Sequence, residues 1–210
     1  MKSEWAIVVL PEIFGVNGFV TDVVERLRRV HSVPVVALDF MHAVTGTHAV
    51  YPYADMDGAH AIAQKVTDEM FLESLKAKID KVQAEHPEVK KIAVVGFCMG
   101  GRLAFLSGVD ARVSKIASFY GTRAHPPVAS LVHARTDSPP AVLALFGGTD
   151  PSITEVDRAQ TKQLLTDAHI PYEEHVYLDA GHAFMNFERT DRYHESSAQD
   201  AQNRLDAFLK

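Results

Sequence analysis

The sequence contains a single cysteine, Cys98, among its 210 residues. One cysteine excludes an internal disulfide framework, and it cannot supply a cysteine-based zinc site by itself. Because disulfide-stabilised proteins belong to oxidising compartments, we expect a reducing, cytoplasmic location for this chain. The thiol of Cys98 therefore needs another explanation, which its local sequence has to provide.

The sequence also lacks an excess of basic residues and any long apolar run. Its 21 Lys and Arg residues are outnumbered by 27 Asp and Glu, which gives a formal net charge of −6. This balance excludes the broad basic surface that is typical of nucleic-acid binding. The apolar run Trp5–Leu10 stops at Pro11 and Glu12, so it is too short for a signal peptide or a membrane span. We expect neither nucleic acid nor a membrane as a partner.

Metal-binding and phosphate-binding motifs are missing as well. None of the 11 histidines lies three to five residues from another histidine, which excludes a helical pair of histidine ligands. The glycine-rich stretches do not end in Gly-Lys-Ser or Gly-Lys-Thr, so they do not form a phosphate-binding loop of that type. We therefore expect no metal site and no cofactor.

What the sequence does contain is a regular alternation of short apolar runs and amphipathic helical patterns. Nearly continuous apolar runs are typical of parallel strands that are buried on both faces. The sequence thus predicts one α/β domain over residues 1–210, an open and mostly parallel sheet with helices on both faces. Residues 41–67 and 123–140 are predicted as lid or binding loops at the carboxyl ends of the strands. The predicted strands are Trp5–Leu10, Val33–Phe40, Lys91–Phe97, Ile116–Tyr120, Ala141–Phe146 and His175–Leu178.

The strongest local signal surrounds the cysteine. A predicted strand runs into Gly96-Phe97-Cys98-Met99-Gly100 and continues directly into a helical pattern, which is the arrangement of a nucleophile elbow. The two glycines allow the strand and the helix to approach closely, and the start of the helix favours a thiolate over a thiol. Most free cysteines are instead small buried apolar side chains, but the flanking glycines favour a nucleophile.

Two further residues follow later strands at the corresponding position. Asp150 comes after the strand Ala141–Phe146, and His182 comes after the strand His175–Leu178 and a glycine. Nucleophile, acid and histidine occur in this chain order in α/β hydrolases. Taken alone, Asp150 is a turn or capping residue and His182 a surface histidine. Their shared register behind two strands favours a catalytic role for both.

Together these motifs resemble the dienelactone hydrolase family, the carboxymethylenebutenolidases, and the match runs in order over nearly the whole chain. The resemblance implies an α/β-hydrolase fold with a catalytic triad of Cys98, His182 and Asp150. Because the chain starts at the first parallel strand of that family, we expect the usual N-terminal antiparallel strands to be missing. The matching motifs are Pro11–Asn17, Gly96–Gly101, Asp150 and Ala180–Phe184.

The resemblance also assigns roles around the first strand. Glu12 is a carboxylate at the tip of an apolar strand, where a solvated loop acid is the ordinary interpretation. The family pattern implies instead that Glu12 contacts the cysteine and helps to form its thiolate when substrate binds. In α/β hydrolases the backbone N–H groups at the positions of Ile13 and Met99 form the oxyanion hole. Tyr120 matches a family position that lines the substrate pocket.

One departure from the family concerns arginine. The bacterial dienelactone hydrolases of the family hold the substrate carboxylate with two arginines. One of these positions, four residues past His182, is Asn186 here, and no arginine occurs between Val30 and Gly101. A bidentate clamp for a carboxylate is therefore not evident. We expect a substrate that is not selected by its negative charge.

The predicted function is hydrolysis of a small-molecule carboxylic ester or lactone through a thioester on Cys98. One alternative is a thioesterase or acyl transferase with the same triad, in which another acceptor replaces water. A second is a non-catalytic binding or redox-sensing protein in which Cys98 is the sensor and His182 is dispensable. The sequence does not determine the oligomeric state, although a monomer is favoured because no apolar stripe is left uncovered.

Overall fold

The computed structural model describes residues 3–135 and 137–210. The strands are β1 Trp5–Leu10, β2 Val35–Ala37, β3 Lys91–Phe97, β4 Val113–Phe119, β5 Ala141–Gly147 and β6 Tyr172–Tyr177. Within the described residues they form one sheet in the order β2-β1-β3-β4-β5-β6. Every neighbouring pair is parallel, which confirms the predicted class of sheet.

Helices connect these strands and cover the sheet. The helices are α1 Gly18–His31, α2 His42–Thr45, α3 Met56–Ala63, α4 Asp68–Glu85, α5 Met99–Ser107, α6 His125–Ala134, α7 Glu155–Asp167 and α8 Glu195–Leu209. Helix α1 packs against α8, whereas α5 packs against β3 and β4 and contacts both α4 and α6. None of the helices in the described part of the chain is long and apolar enough to cross a membrane.

Local sequence explains how α1 begins and which face it buries. The Asn17 side chain caps the helix by accepting the backbone N–H of Val20 at 3.2 Å. The buried residues of α1 recur at helical spacing, so one apolar stripe faces the sheet. These buried residues are Phe19, Val20, Val24 and Leu27.

Four strands differ in their bounds from the prediction, and β5 differs only in ending one residue later, at Gly147. Strand β2 has three residues, whereas β4 starts at Val113 and β6 starts at Tyr172, each three residues before its predicted start. Polar residues at the beginning of β4 and β6 explain why these strands were predicted to start too late. Lys115 interrupts the apolar pattern of β4, and β6 is an edge strand whose residues are mostly half-buried. The Lys115 ammonium lies 4.8 Å from the Trp5 ring centroid, which gives this buried-strand lysine a favourable contact.

Both stretches that were predicted as loops contain helix, and this part of the prediction was wrong. Residues 41–67 include α2 and α3, and residues 123–140 include α6. Pro126 lies in the first turn of α6, where a missing N–H costs no helical hydrogen bond, so this proline is compatible with a helix. Helix α3 is short and has Gly58 near its start, so its sequence pattern is weak.

The order of the strands creates a crevice between β1 and β3. From β1 the chain moves outward to β2 and then returns across β1 to β3, so the connections after β1 and β3 leave in opposite directions. Open α/β sheets bind their ligands at such a switch point, outside the carboxyl ends of the strands. Leu10 at the end of β1 is paired with Gly96 near the end of β3. The next residues along both strands, Pro11–Glu12 and Cys98, therefore flank the crevice.

Candidate active site

Cys98 lies on a strained turn between β3 and α5. Its backbone has φ 55° and ψ −117°, a region that non-glycine residues rarely occupy. A Cβ atom on Gly96 would lie 2.0 Å from the carbonyl oxygen of Gly100, and one on Gly100 would lie 2.4 Å from that of Pro11. Only glycine permits this approach of strand, turn and helix. The thiol remains half-buried at the end of the sheet.

His182 and Asp150 are brought together next to this turn. The imidazole Nδ1 donates a hydrogen bond to Asp150 Oδ2 at 2.7 Å, and the Asp150 side chain is fully buried. The other carboxylate oxygen of Asp150 accepts the backbone N–H of Ser152 at 2.8 Å. The carboxylate is therefore fixed by two donors, and it fixes the orientation of the imidazole ring.

The imidazole of His182 also interacts with Cys98. Burial by itself lowers the pKa of His182, but the interactions with Asp150 and Cys98 outweigh burial and raise the pKa to about 10. Each partner thus favours the protonated ring. The three side chains form a connected chain from the half-buried thiol to the buried carboxylate.

Glu12 lies on the opposite side of the crevice and is 2% exposed. Its Oε2 accepts a hydrogen bond from Asn186 Nδ2 at 2.9 Å, whereas its Oε1 has no hydrogen-bond partner among the described residues. Burial raises the pKa of Glu12, and the bond from Asn186 and the charges of His182 and Arg189 offset this only in part. Glu12 is thus a carboxyl group that burial pushes toward its neutral form.

Tyr120 is completely buried between the two sides of the site. Its ring meets His182 edge to face at a centroid distance of 5.1 Å, and it meets Phe184 in the same way at 5.4 Å. Burial and the nearby charges of Glu12 and Cys98 raise the pKa of its hydroxyl. The hydroxyl has no hydrogen-bond partner among the described residues. Tyr120, which was expected to line the substrate pocket, is thus a fully buried residue beside His182, with φ 40°.

Ile13 and Met99 occupy the two turns that flank the crevice. Ile13 follows Glu12 after β1 and is buried. Met99 is the first residue of α5, so its N–H has no acceptor within the helix. Both residues therefore lie in the turns beside the crevice, and the role of their amides as an oxyanion hole stays a prediction.

Three side chains near Glu12 were not expected from the sequence as site residues. The Tyr53 hydroxyl accepts a hydrogen bond from Asn186 Nδ2 at 3.1 Å. The Arg189 guanidinium lies 5.6 Å from the centroids of both the Phe14 and the Tyr53 rings. Asn186 itself is fully buried. Its position four residues past His182 was the one signal that pointed to it, whereas Tyr53 and Arg189 carried no signal in the sequence.

The described residues offer no arrangement for a metal ion. In residues 3–135 and 137–210 no three His, Cys, Asp or Glu side chains are grouped in a way that could hold one.

Comparison with known proteins gives a consistent result. The model of the dienelactone hydrolase family matches residues 2–210. A Synechocystis protein that carries the name carboxymethylenebutenolidase is 29% identical over 206 residues, covering 93% of this chain and 81% of its own length. A Bradyrhizobium protein named as a 2-oxo-3-(5-oxofuran-2-ylidene)propanoate lactonase is 25% identical and covers 98% of this chain and 83% of itself.

Solved structures agree with the sequence relatives. A Klebsiella pneumoniae protein named as a dienelactone hydrolase has a TM-score of 0.80 at 27% identity, with 97% of this chain and 85% of that chain covered. An esterase from Pyrobaculum calidifontis has a TM-score of 0.65 at 17% identity, covering 98% of this chain and 76% of that one. The parallel sheet described above is thus that of an α/β-hydrolase fold.

Proposed function

This chain belongs to the dienelactone hydrolase family, and from that premise we propose that it hydrolyses a carboxylic ester or lactone through a thioester on Cys98. The observation that carries this proposal is the connected set of Cys98, His182 and Asp150 at the strained turn after β3. A strained backbone at this point is costly, and such strain is concentrated at functional sites.

The first step is attack by the thiolate. The S–H proton of Cys98 passes to a neighbouring base, the protonated imidazole of His182 stabilises the thiolate, and the sulfur forms a bond to the carbonyl carbon of the substrate. Negative charge then develops on the carbonyl oxygen, and in the proposed mechanism the N–H groups of Ile13 and Met99 donate hydrogen bonds to it. Removal of one such donor typically reduces the rate by about 10²–10³-fold.

The second step releases the alcohol and then the acid. His182 gives its proton to the leaving alkoxide as the carbon–oxygen bond breaks, which leaves an acyl group on sulfur. Water then loses a proton to His182 and attacks the thioester, the carbon–sulfur bond breaks, and Cys98 is regenerated. Asp150 keeps the imidazole in the tautomer that both halves of the reaction need. Glu12 is a second base that can accept the thiol proton.

The proposal is tested by ester hydrolysis together with alkylation. Wild type should hydrolyse p-nitrophenyl acetate, and treatment of the folded protein with iodoacetamide should modify Cys98 and abolish the activity. Equal rates before and after complete alkylation of Cys98 would contradict the thioester mechanism. Failure of iodoacetamide to reach Cys98 in the folded protein would indicate an inert thiol.

The substrate class is best approached with matched pairs. The Bradyrhizobium relative is named for a lactone, so an unsaturated lactone that bears a free carboxylate should be compared with its methyl ester. We expect similar kcat/KM values, because no pair of arginines is evident from the sequence. A strong preference for the carboxylate would instead identify Arg189, the half-buried cation beside Tyr53, as the recognition residue.

A further inference from the structure

Glu12 is held by a neutral amide that is itself fixed at both ends. Asn186 is fully buried, and its Nδ2 donates to Glu12 Oε2 at 2.9 Å and to the Tyr53 hydroxyl at 3.1 Å. Its Oδ1 accepts the backbone N–H of Glu188 at 3.1 Å. Because both ends of the amide are engaged, it cannot flip without losing these bonds. The direction of its bond to Glu12 is therefore fixed.

Tyr53 is fixed in turn by partners from two other segments. Its hydroxyl accepts a hydrogen bond from Asn17 Nδ2 at 2.8 Å and donates one to Glu188 Oε2 at 2.6 Å. Its ring packs edge to face on Phe14 at a centroid distance of 4.8 Å. The amide of Asn186 thus rests on a phenol that is tied to the start of α1 and to the segment after His182.

This arrangement leaves one specific oxygen of the carboxyl group available. Oε2 of Glu12 is engaged by Asn186, whereas Oε1 is buried and has no hydrogen-bond partner among the described residues. The Tyr120 hydroxyl is also buried and has no hydrogen-bond partner among the described residues. The charges of both Glu12 and Cys98 act on this hydroxyl. Buried polar atoms without partners are rare and costly, and a catalytic role is one reason for a protein to keep them.

The charged and titratable groups that act on Glu12 come from several elements. The charges of His182 and Arg189 act on Glu12, and so does the hydroxyl of Tyr120. The charge of Glu12 in turn raises the pKa of Tyr53. Glu188 lies one contact farther away, behind Tyr53. Among the described residues none of these cations forms a direct ion pair with Glu12, and its closest described donor is the uncharged amide.

We propose that Asn186, held by Tyr53, is a positioning residue that presents Oε1 of Glu12 to the reacting groups and lets this carboxyl exchange a proton during turnover. The inference rests on the proposed thioester mechanism. In the exchange the S–H bond of Cys98 breaks, the sulfur keeps the electron pair, and an O–H bond forms on Oε1. The proton returns to sulfur when deacylation releases the thiolate.

The neutrality of the amide is what makes this exchange feasible. A cation in direct contact would hold the carboxyl group ionised and stabilise the carboxylate against protonation. An amide offers one hydrogen bond and no net charge, so it orients the group without preventing its protonation. In agreement with this, burial raises the pKa of Glu12 despite the bond from Asn186.

The experiment compares Asn186→Leu, which keeps the side-chain size, with Tyr53→Phe and with Asn203→Ala on the exposed face of α8 as control. Two quantities are measured for each folded variant. One is the ascending limb of the kcat/KM profile against pH for an ester, and the other is the 13C NMR titration of the Glu12 carboxyl carbon. The Glu12 resonance is assigned by its loss in Glu12→Gln.

Asn186→Leu should move both the ascending limb and the Glu12 titration upward by about one pH unit, because a hydrogen bond that stabilises the carboxylate is lost. Below the limb this corresponds to about a tenfold loss of kcat/KM. Tyr53→Phe should move both in the same direction by a smaller amount, and Asn203→Ala should move neither. Should Asn186→Leu fail to fold, the smaller shift in Tyr53→Phe decides the question.

An unmoved Glu12 titration in a folded, ester-hydrolysing Asn186→Leu would overturn the inference and leave the proposed function intact. A titration that moves in a protein that hydrolyses no ester would overturn the proposed function instead, while supporting the positioning of Glu12 by Asn186. A titration that moves without any change in the kcat/KM profile would show that Glu12 exchanges no proton in turnover, which also contradicts the inference.

Discussion

The two sides of the crevice hold their ionisable groups in opposite ways. On the cysteine side, the imidazole of His182 lies 2.7 Å from a buried carboxylate, and a charge-assisted hydrogen bond of this kind stabilises the protonated ring. On the glutamate side, Glu12 meets the amide of Asn186 and, behind it, the phenol of Tyr53. The first arrangement fixes a protonation state, and the second fixes only an orientation. A site that has to move protons needs both.

Replacing Cys98 by alanine is the change with the largest expected effect, because both sides act on this thiol. We expect the rate of p-nitrophenyl acetate hydrolysis to fall by about 10³-fold or more, since nucleophile and base act as one unit. Initial rates at equal protein concentration measure this effect. A variant that retains the wild-type rate would show that the ester is cleaved without the thiol, and neither the cysteine side nor the glutamate side of the crevice would then have a role in the reaction.

Asp150→Asn tests the cysteine side. The amide no longer stabilises the protonated imidazole or selects its tautomer, so we expect kcat to fall by about 10²–10⁴-fold. The matched control is Asp179→Asn, an exposed aspartate three residues before His182, which should leave kcat unchanged. Equal effects of the two substitutions would mean that the buried carboxylate has no special role.

Glu12→Gln tests the glutamate side and should have a smaller effect. The glutamine keeps the shape and the contact with Asn186 but cannot accept a proton, so we expect a loss of about 10- to 100-fold in kcat/KM. The ascending limb of the pH profile that Glu12 produces should disappear. Glu69→Gln in α4 is the control for removal of one acidic charge. A loss as large as that in Asp150→Asn would remove the distinction between the two sides.

The smallest expected effect concerns stability as a function of pH. The pKa of His182 is raised to about 10 from an ordinary value of 6.5, so the imidazolium stabilises the fold fully below about pH 6.5. That contribution is lost as the pH rises toward 10. Urea unfolding of wild type and His182→Gln should therefore show a larger difference in free energy at pH 6 than at pH 10.

The stability experiment has an internal control in Cys98→Ala. The interaction with Cys98 is one of the causes that raise the pKa of His182. In Cys98→Ala this pKa should therefore be lower, and the stabilisation by the imidazolium should be lost at a lower pH than in wild type. A difference between wild type and His182→Gln that grows with pH would show that the imidazole is held neutral instead, contrary to the arrangement on the cysteine side.

The contrast between the two sides also explains which parts could be predicted from the sequence. Cys98, Asp150 and His182 each lie within five residues of the end of a strand, and turn residues mark each position, so their convergence follows from the topology of a parallel sheet. The contact between Asn186 and Tyr53 joins residues that are 133 positions apart in the chain. No local pattern encodes such a contact, and Tyr53 lies in a segment that was predicted as a loop.

The fold shows the same limit on a smaller scale. The apolar runs of β1 and β3 fix both ends of these strands correctly, because every residue of the two strands except Lys91 is apolar or small. Strand β4 was predicted to start three residues late because Lys115 makes its beginning polar, and its contact with Trp5 becomes visible only in three dimensions. Residues 123–140 were predicted as a loop although they contain α6, whose first turn includes a proline that a helix accepts at that position.

The most direct test of the central claim is to look for the acyl group on sulfur. Wild type is mixed with excess p-nitrophenyl acetate, quenched in acid within the first turnovers, digested and analysed by mass spectrometry. We predict one acetyl group on the Cys98 peptide, released by hydroxylamine and diminished as the substrate is consumed. Hydrolysis at the full rate with an unmodified Cys98 at every time point would contradict the thioester mechanism.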